Sequence, residues 1–203
     1  MVGDKRSPAQ QRLVDAATRL FSERGYAATS VADIQKACGL TGGSGALYKH
    51  YPSKRALLDE VVGVHLTTMR AGHAAFAAQV PDDLEGALHY VVDAVWTSMR
   101  NDHAVLRVLL RDLDDFPDLL ERIWTEIRSN VYDPFTLWIS EQTGRGALRV
   151  ADPAATAAVL LSSLTYLPIL QTLIGRTPGD IDPDRFAEAW VQHALATLTA
   201  GRL

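Results

Sequence analysis

A glycine-rich segment followed by a dense set of polar side chains is the first feature of this sequence that could do chemistry. Residues 39–54 read GLTGGSGALYKHYPSK, with four glycines in the first seven positions. Tyr48, Lys49, His50 and Lys54 carry hydroxyl, ammonium and imidazole groups that can donate hydrogen bonds to phosphate oxygens. Glycine lets a backbone approach another surface closely because it has no Cβ, and amides at a helix start can hold a phosphate. The segment therefore predicts contact with a polyanion.

Other chemistries receive less support from the residues. The GGSG run fits neither dinucleotide nor mononucleotide phosphate-loop spacing, and no predicted strand precedes it. The single cysteine, Cys38, excludes an internal disulfide and is interpreted as a small core residue. The histidines form no recognised metal-ligand pattern. With no nucleophile motif or identifiable carboxylate pair, we expect no metal, no cofactor and no enzymatic activity.

The charge distribution supports a polyanion-binding segment. Residues 1–60 contain nine Lys or Arg and six Asp or Glu, a balance of +3, whereas the remaining residues contain 11 basic and 18 acidic residues, a balance of −7. All four lysines of the chain lie in the first segment. A basic segment joined to a larger acidic body indicates one module that binds polyanions and another that does not.

Helical patterns position these residues. Ser7, Pro8 and Gln10 form a capping signal ahead of an apolar stripe at helical spacing, and Gly25 ends that helix. Ser30 and Asp33 form a second capping box before a helix of about two turns. No alternating strand pattern appears in the sequence. We therefore predict an all-α fold of about nine helices.

The segment lengths also predict location and domain organisation. No apolar run reaches the length of about 18 residues that suggests a membrane span, and the first residues lack the apolar core of a secretory signal. We expect a cytoplasmic protein without a membrane partner. Its domains are predicted over residues 1–52 and 53–203.

Within the first domain, two short helices joined by a tight glycine-containing turn describe a helix-turn-helix unit. The pair is predicted at Ser30–Cys38 and Gly42–Tyr48, with the turn at Gly39–Thr41. In such a unit the second helix enters the DNA major groove.

The same residues carry a family resemblance. The stretch RLVDAATRLFSERGYAATSVADIQKACGLTGGSGALYKHYPSKRALL resembles the N-terminal domain of the TetR family of transcriptional regulators. The Gly-rich entry to the recognition helix is about two residues longer here than is usual in that family. The DNA-binding candidates are Thr29, Ser30, Thr41, Gly42, Gly43, Ser44, Gly45, Tyr48, Lys49, His50 and Lys54. Thr41 and Lys49 are the candidates for base contacts, and the others are expected to bind phosphate or allow close approach.

The resemblance implies that the larger domain holds a ligand cavity between helices. Its aromatic and Met residues are also consistent with an ordinary helix-bundle core. The ligand-binding candidates are Met69, Val92, Trp96, Met99, Leu106, Arg107, Trp124, Ile127, Tyr166 and Leu170. Arg107 is a possible contact for an anionic ligand, although a salt bridge from Arg107 and Arg111 to the Asp112–Asp118 cluster is favoured.

The last two predicted helices supply the expected dimer face, because the first of them is apolar on nearly all sides. Two helices from each subunit would form an intermolecular four-helix bundle and present two DNA-binding heads to a palindromic site. The sequence thus predicts a homodimeric regulator, with repression favoured, that binds operator DNA and is released by a small, largely apolar effector. The alternatives are an all-α small-molecule-binding protein or enzyme without functional DNA binding, and an adaptor dimer without a cavity.

Overall fold

The structure of the chain is a computed structural model that describes residues 6–39, 45, 47–77, 79–101, 103–112 and 115–200. Two compact units emerge: Met1–Thr68 with Asp102–Glu121, and Met69–Asn101 with Arg122–Leu203. This division differs from the boundary predicted after residue 52, since the first unit also takes in the start of the following helix and a segment from the middle of the chain.

All regular secondary structure in the described ranges is helical, which confirms the all-α prediction. The α-helices are α1 Pro8–Arg24, α2 Val31–Ala37, α3 Lys54–Ala77, α4 Leu84–Asn101, α5 His103–Asp112, α6 Pro117–Ile127, α7 Asp133–Gly144, α8 Pro153–Ile174 and α9 Pro183–Thr199. A π turn, Arg128–Tyr132, joins α6 to α7, and a 3-10 turn, Pro178–Asp180, precedes α9.

The predicted caps and apolar stripe form the core of the first unit. Ser7 and Gln10 cap α1 reciprocally, and Ser30 and Asp33 do the same for α2. Each capping box satisfies two backbone N–H groups that have no partner within the helix. The side chains of α1 that follow the stripe are buried with residues from α2, the segment before α3, and α3 itself: Leu13, Ala17, Leu20, Phe21, Ile34, Leu47, Leu57 and Leu58.

The core of the second unit surrounds α8. Indole N–H groups from two helices donate hydrogen bonds to α8 carbonyls: Trp96 to Leu164 and Trp190 to Leu160, each at 3.1 Å. These bonds satisfy two polar atoms that would otherwise be buried without partners. They therefore fix α4 and α9 on α8 while the indole rings fill the interior.

Contrary to the expectation that no apolar run reaches the length of a membrane span, helix α8 is long and apolar enough, by length and composition, to cross a membrane. In the second unit, however, Leu160, Leu161, Leu164 and Leu167 are buried in the core. One face of α8 therefore packs in the core of the second unit, and a single helix of this kind is weak evidence for a membrane span.

The π turn between α6 and α7 lies just before Pro134. Pro134 lies in the first turn of α7 and has no N–H to donate to the preceding turn. The wider π turn at Arg128–Tyr132 carries the chain across that missing hydrogen bond. The chain consequently stays helical on both sides of the proline.

A matched pair of α7 variants tests the burial pattern. Ile139 is fully buried, whereas Leu137 is 59% exposed on the same helix. We expect Ile139→Ala to lower the free energy of unfolding by about 2–5 kcal/mol because it leaves a cavity, and Leu137→Ala to change it by about 0.5 kcal/mol or less. Urea unfolding followed by circular dichroism measures both. Equal losses would contradict the assigned orientation of α7.

Candidate nucleic-acid interface

The connection between α1 and α2 is held from inside by Thr29. Its side chain is fully buried, and its hydroxyl donates to the Gly25 carbonyl at 2.8 Å and lies 3.2 Å from the Leu20 carbonyl oxygen. The Gly25 carbonyl follows the last residue of α1 and has no partner within the helix, whereas Leu20 lies in the last turns of α1. The hydroxyl predicted to reach a phosphate is thus turned toward the interior, and we correct that assignment: Thr29 is a structural group of the turn.

Lys54 supplies a second internal contact at the same turn. Its Nζ donates to the carbonyls of Tyr26 and Thr29 at 2.8 and 2.9 Å, and it lies 4.0 Å from the centroid of the Tyr26 ring. The ammonium group, predicted as a phosphate contact, therefore bonds the backbone of the α1–α2 connection. Since Lys54 is the first residue of α3, this contact ties the start of α3 to that connection.

An aromatic and cationic cluster supports the turn from the side of α6. The Tyr26 ring meets the Phe116 ring edge-on, with centroids 4.8 Å apart, and the Arg55 guanidinium lies 4.6 Å from the Phe116 centroid. Arg55 also pairs with Asp118, which holds the pKa of that carboxyl below its ordinary value. Aromatic and cation–π contacts of this kind fix ring positions as well as adding stability.

Three predicted DNA-binding residues face outward on the segment before α3. Tyr48 is 59% exposed, and Lys49 and His50 are also exposed, whereas Leu47 and Tyr51, on either side of them, are buried. Hydrogen bonds from the His50 and Tyr51 amides to the Leu47 carbonyl, at 2.9 and 2.8 Å, form the turn that produces this separation. A phenol, an ammonium and an imidazole therefore share one exposed surface, which we call the Tyr48–His50 row.

Ser30 adds a hydroxyl at the exposed N-terminus of α2. Its hydroxyl and backbone N–H bond the Asp33 carboxylate, and these bonds hold the pKa of Asp33 below its ordinary value. An ionised carboxylate there favours the helix N-terminus but opposes an anionic phosphate. The capping role of Ser30 is therefore well defined by this geometry, and its phosphate contact stays a prediction.

The glycine-rich entry is described at one position. Gly45 has φ +59°, in the left-handed region where a residue with a Cβ is strained, and a Cβ built there meets no atom within 4 Å of those described. The backbone conformation, more than crowding, therefore requires glycine at this position. Thr41, Gly42, Gly43 and Ser44 lie outside the described residues, so their predicted roles stay predictions.

Comparisons with known proteins match both parts of the chain. The family model for bacterial regulatory proteins of the tetR family matches residues 13–61, and a model for the C-terminal domain of AefR-like transcriptional repressors matches residues 87–200. The chain belongs to the TetR family.

Curated relatives and solved structures agree with that membership. A probable HTH-type transcriptional regulator, ArpR of Pseudomonas putida, is 29% identical over 98% of this chain and 96% of its own length. The HTH-type transcriptional regulator TtgR, also of Pseudomonas putida, is 28% identical over the same shares. The crystal structure of a tetR-family regulatory protein from Rhodococcus RHA1 has a TM-score of 0.73 at 26% identity, covering 97% of this chain and all of that one.

TetR-family proteins are ligand-responsive DNA-binding transcriptional regulators, and this chain is one of them. The family is one of regulators, not enzymes, and its members act as dimers on operator DNA. Residues 13–61 of the family match contain the Tyr48–His50 row as well as Thr29 and Lys54. The residues predicted from the TetR resemblance therefore divide into an outward-facing set and an inward-facing set.

The predicted ligand-binding residues are divided between the two units and differ in burial. Val92 and Trp96 are buried in the core of the second unit, and Trp124 and Tyr166 are about half exposed. Leu106 and Arg107 belong to the first unit. The remaining four are partly buried residues of the second unit: Met69, Met99, Ile127 and Leu170.

A cleft of about 520 Å³ lies within the first unit, between α1, α3 and α5. Of the ten ligand-binding candidates, Arg107 lines it. Sequence reasoning missed the other lining residues because they are ordinary polar and aliphatic side chains on three helices that are distant in sequence. The sequence contains one signal of a ligand contact there: Arg107 has no acidic residue four positions before or after it on α5.

Thr29 variants separate a structural role from a phosphate contact. We expect Thr29→Val to lower the free energy of unfolding by about 1–3 kcal/mol, because it leaves buried carbonyls without a donor. Thr29→Ser keeps the hydroxyl and should lose less. Urea unfolding measures stability, and DNA affinity is corrected for the folded fraction. Normal stability of Thr29→Val combined with weakened DNA binding would show that the hydroxyl faces DNA after all.

Proposed function

We propose that this TetR-family chain is a homodimeric repressor that grips operator phosphates through the Tyr48–His50 row and releases DNA when a small, largely apolar effector binds. The observation that carries the proposal is the outward exposure of Tyr48, Lys49 and His50 beside the buried Leu47 and Tyr51. Three different hydrogen-bond donors on one surface match the contacts that position a protein on a duplex.

The charge of the head supports this orientation. Residues 1–60 carry a balance of +3 within a chain of net charge −4, so association with DNA favours this end of the molecule. Lys49 is the lysine in the exposed row, while the Lys54 ammonium bonds two backbone carbonyls. We therefore assign Lys49 to the DNA, with base or phosphate as its partner, and Lys54 to the support of the turn.

An apolar stripe on α8 supports the dimer. Val159, Tyr166 and Leu173 are exposed at spacings of seven residues, and Ile174 lies beside the last of them. Residues seven apart fall on one face of a helix. On α9, Ala189 and Ala196 are exposed at the same spacing and are small enough for close helix packing. We infer that α8 and α9 form the twofold interface, as the family's dimeric state leads one to expect.

The effector is proposed to bind among the partly buried side chains of the second unit. Met69 and Met99 are flexible, polarizable side chains that can repack around an apolar ligand. Helix α3 contributes residues to both units, so it is our candidate for transmitting the signal. The effector acts only to the extent that it binds the released conformation more tightly than the DNA-bound one. The regulator is proposed to work in the cytoplasm, where operator DNA is found.

A salt titration tests the proposed DNA contact. We expect Lys49→Ala to weaken operator binding and to reduce the magnitude of the slope of log K against log salt by about 1.8, the change for two lost phosphate contacts, one from each subunit of the proposed dimer. A loss of affinity with an unchanged slope would instead assign Lys49 to a base. Fluorescence anisotropy on a duplex selected from genomic fragments by the purified protein measures both quantities.

Arg145→Ala, which removes an exposed cation from the end of α7 in the second unit, is the matched control and should change neither affinity nor slope. If Lys49→Ala binds like the unchanged protein at every salt concentration, the Tyr48–His50 row is not the DNA surface.

The dimer proposal is tested by charging the α8 stripe. We expect Tyr166→Asp to convert the dimer to monomer, because two carboxylates would be buried across a twofold axis. Leu137→Asp places the same charge on an exposed apolar position of α7 and should leave the dimer intact. Light scattering coupled to size exclusion gives the mass. Monomer from both variants, or dimer from both, would contradict the assignment.

A further inference from the structure

The cleft in the first unit has the size of a small-molecule site. Its volume of about 520 Å³ falls within the range of roughly 300–1,000 Å³ that is usual for such sites. All its lining residues belong to the first unit, which also contains the DNA-binding segment. The cleft is therefore distinct from the effector site proposed above, which is made of second-unit side chains.

The cleft combines an aliphatic surface with polar side chains. Val14, Val61 and Val105 are buried and form its base, and Val64 and Ala104 extend the apolar surface. Phe, Tyr and Trp are absent from the described lining residues. A flexible hydrocarbon chain can pack on this aliphatic surface.

Most of the charged groups at the cleft have partners. Arg19 pairs with Glu23 at 3.6 Å, and the Gln11 amide donates to the Asp15 carboxylate at 2.8 Å. Arg107 differs from them, because no carboxylate in the described part of the chain lies within ion-pair distance of its guanidinium. Arg107 is thus a cation of the cleft without a direct carboxylate partner among the described residues, although the lining as a whole also contains Asp15, Arg19 and Glu23.

Of the acidic residues after α5 whose side chains the structure describes, neither Asp115 nor Asp118 pairs with Arg107. Asp118 pairs with Arg55. Arg111, one turn after Arg107, lies with its side chain against Gly25, and a Cβ added at that glycine would be 3.1 Å from the Arg111 Nε. The predicted salt bridge from Arg107 and Arg111 to the Asp112–Asp118 cluster stays a prediction for Asp114 and for the Asp112 side chain, which lie outside the described residues. The Arg107 side chain lines the cleft.

We propose that this cleft is a second ligand site, which binds an aliphatic monocarboxylate. The hydrocarbon chain packs on Val61, Val64 and Val105, and the carboxylate pairs with Arg107. Arginine suits this role because its guanidinium can hold a carboxylate through two parallel hydrogen bonds. The site goes beyond the proposed function, which requires only DNA and an apolar effector in the second unit.

Binding of three matched probes to the full-length protein tests the proposed chemistry. Hexanoate, hexan-1-ol and hexylamine share one hydrocarbon chain and differ in the charge of the head group. Isothermal titration should show saturable binding of hexanoate that is about tenfold or more tighter than that of the other two, as expected for a charged hydrogen bond. Equal binding of the three probes, or no saturable binding of hexanoate, would overturn the proposal.

Variants place the bound hexanoate. Arg107→Gln should weaken hexanoate binding about tenfold or more, and Arg107→Lys should recover part of the loss. Ser22→Trp, at a half-buried lining position of α1, should abolish binding by filling the cleft. Arg145→Gln, on the second unit, is the control and should bind like the unchanged protein. Circular dichroism confirms the fold of each variant.

Hexanoate binding that survives both Arg107→Gln and Ser22→Trp would lie elsewhere and would overturn the assignment. Operator binding is measured separately on the same preparations. A protein that binds hexanoate in the cleft but not DNA would contradict the proposed function and leave this site standing. The reverse result would contradict the site alone.

Discussion

The backbone carbonyls at the end of α1 and in the connection to α2 must find hydrogen-bond donors, and much of the first unit depends on how they do. Thr29 supplies a hydroxyl to Gly25, and Lys54 supplies an ammonium to Tyr26 and Thr29. Leaving such acceptors buried and unpaired would cost about 1–3 kcal/mol each. Because Thr29 directly precedes the N-cap of α2 and Lys54 begins α3, these bonds set the relation between the three helices. The edge-on contact between the Tyr26 and Phe116 rings further stabilises the connection between α1 and α2.

Because the Thr29 hydroxyl and the Lys54 ammonium bond backbone carbonyls, the DNA-binding surface is made of other side chains. The side chains that remain outward, Tyr48, Lys49 and His50, are the ones whose neighbours Leu47 and Tyr51 are buried. Some polar side chains of this part of the chain thus stabilise the fold, and others are exposed for contact with DNA. Residues 1–60 have a charge balance of only +3. This balance is compatible with DNA binding, because hydroxyl and imidazole groups contact phosphates as well as ammonium groups do.

The sequence predicted the elements well because caps and apolar stripes are local signals. Ser7 with Gln10, Ser30 with Asp33, and the Leu13-to-Phe21 stripe all act as predicted. It could not assign Thr29 and Lys54, because the direction of a side chain at a turn depends on carbonyls from other segments. Hydrophobicity likewise selected Val92 and Trp96 as ligand contacts, although both belong to a packed core. The cleft could not be predicted, since it forms only when α1, α3 and α5 come together.

The most direct test of the account is lysine footprinting with and without operator DNA, read by mass spectrometry after acetylation. The chain has only four lysines, Lys5, Lys36, Lys49 and Lys54, so each can be followed separately. The account predicts that Lys49 reacts in the free protein and is protected by DNA, while Lys54 reacts poorly in both states because its ammonium bonds two carbonyls. Ready acetylation of Lys54 that DNA suppresses, with Lys49 unchanged, would contradict it.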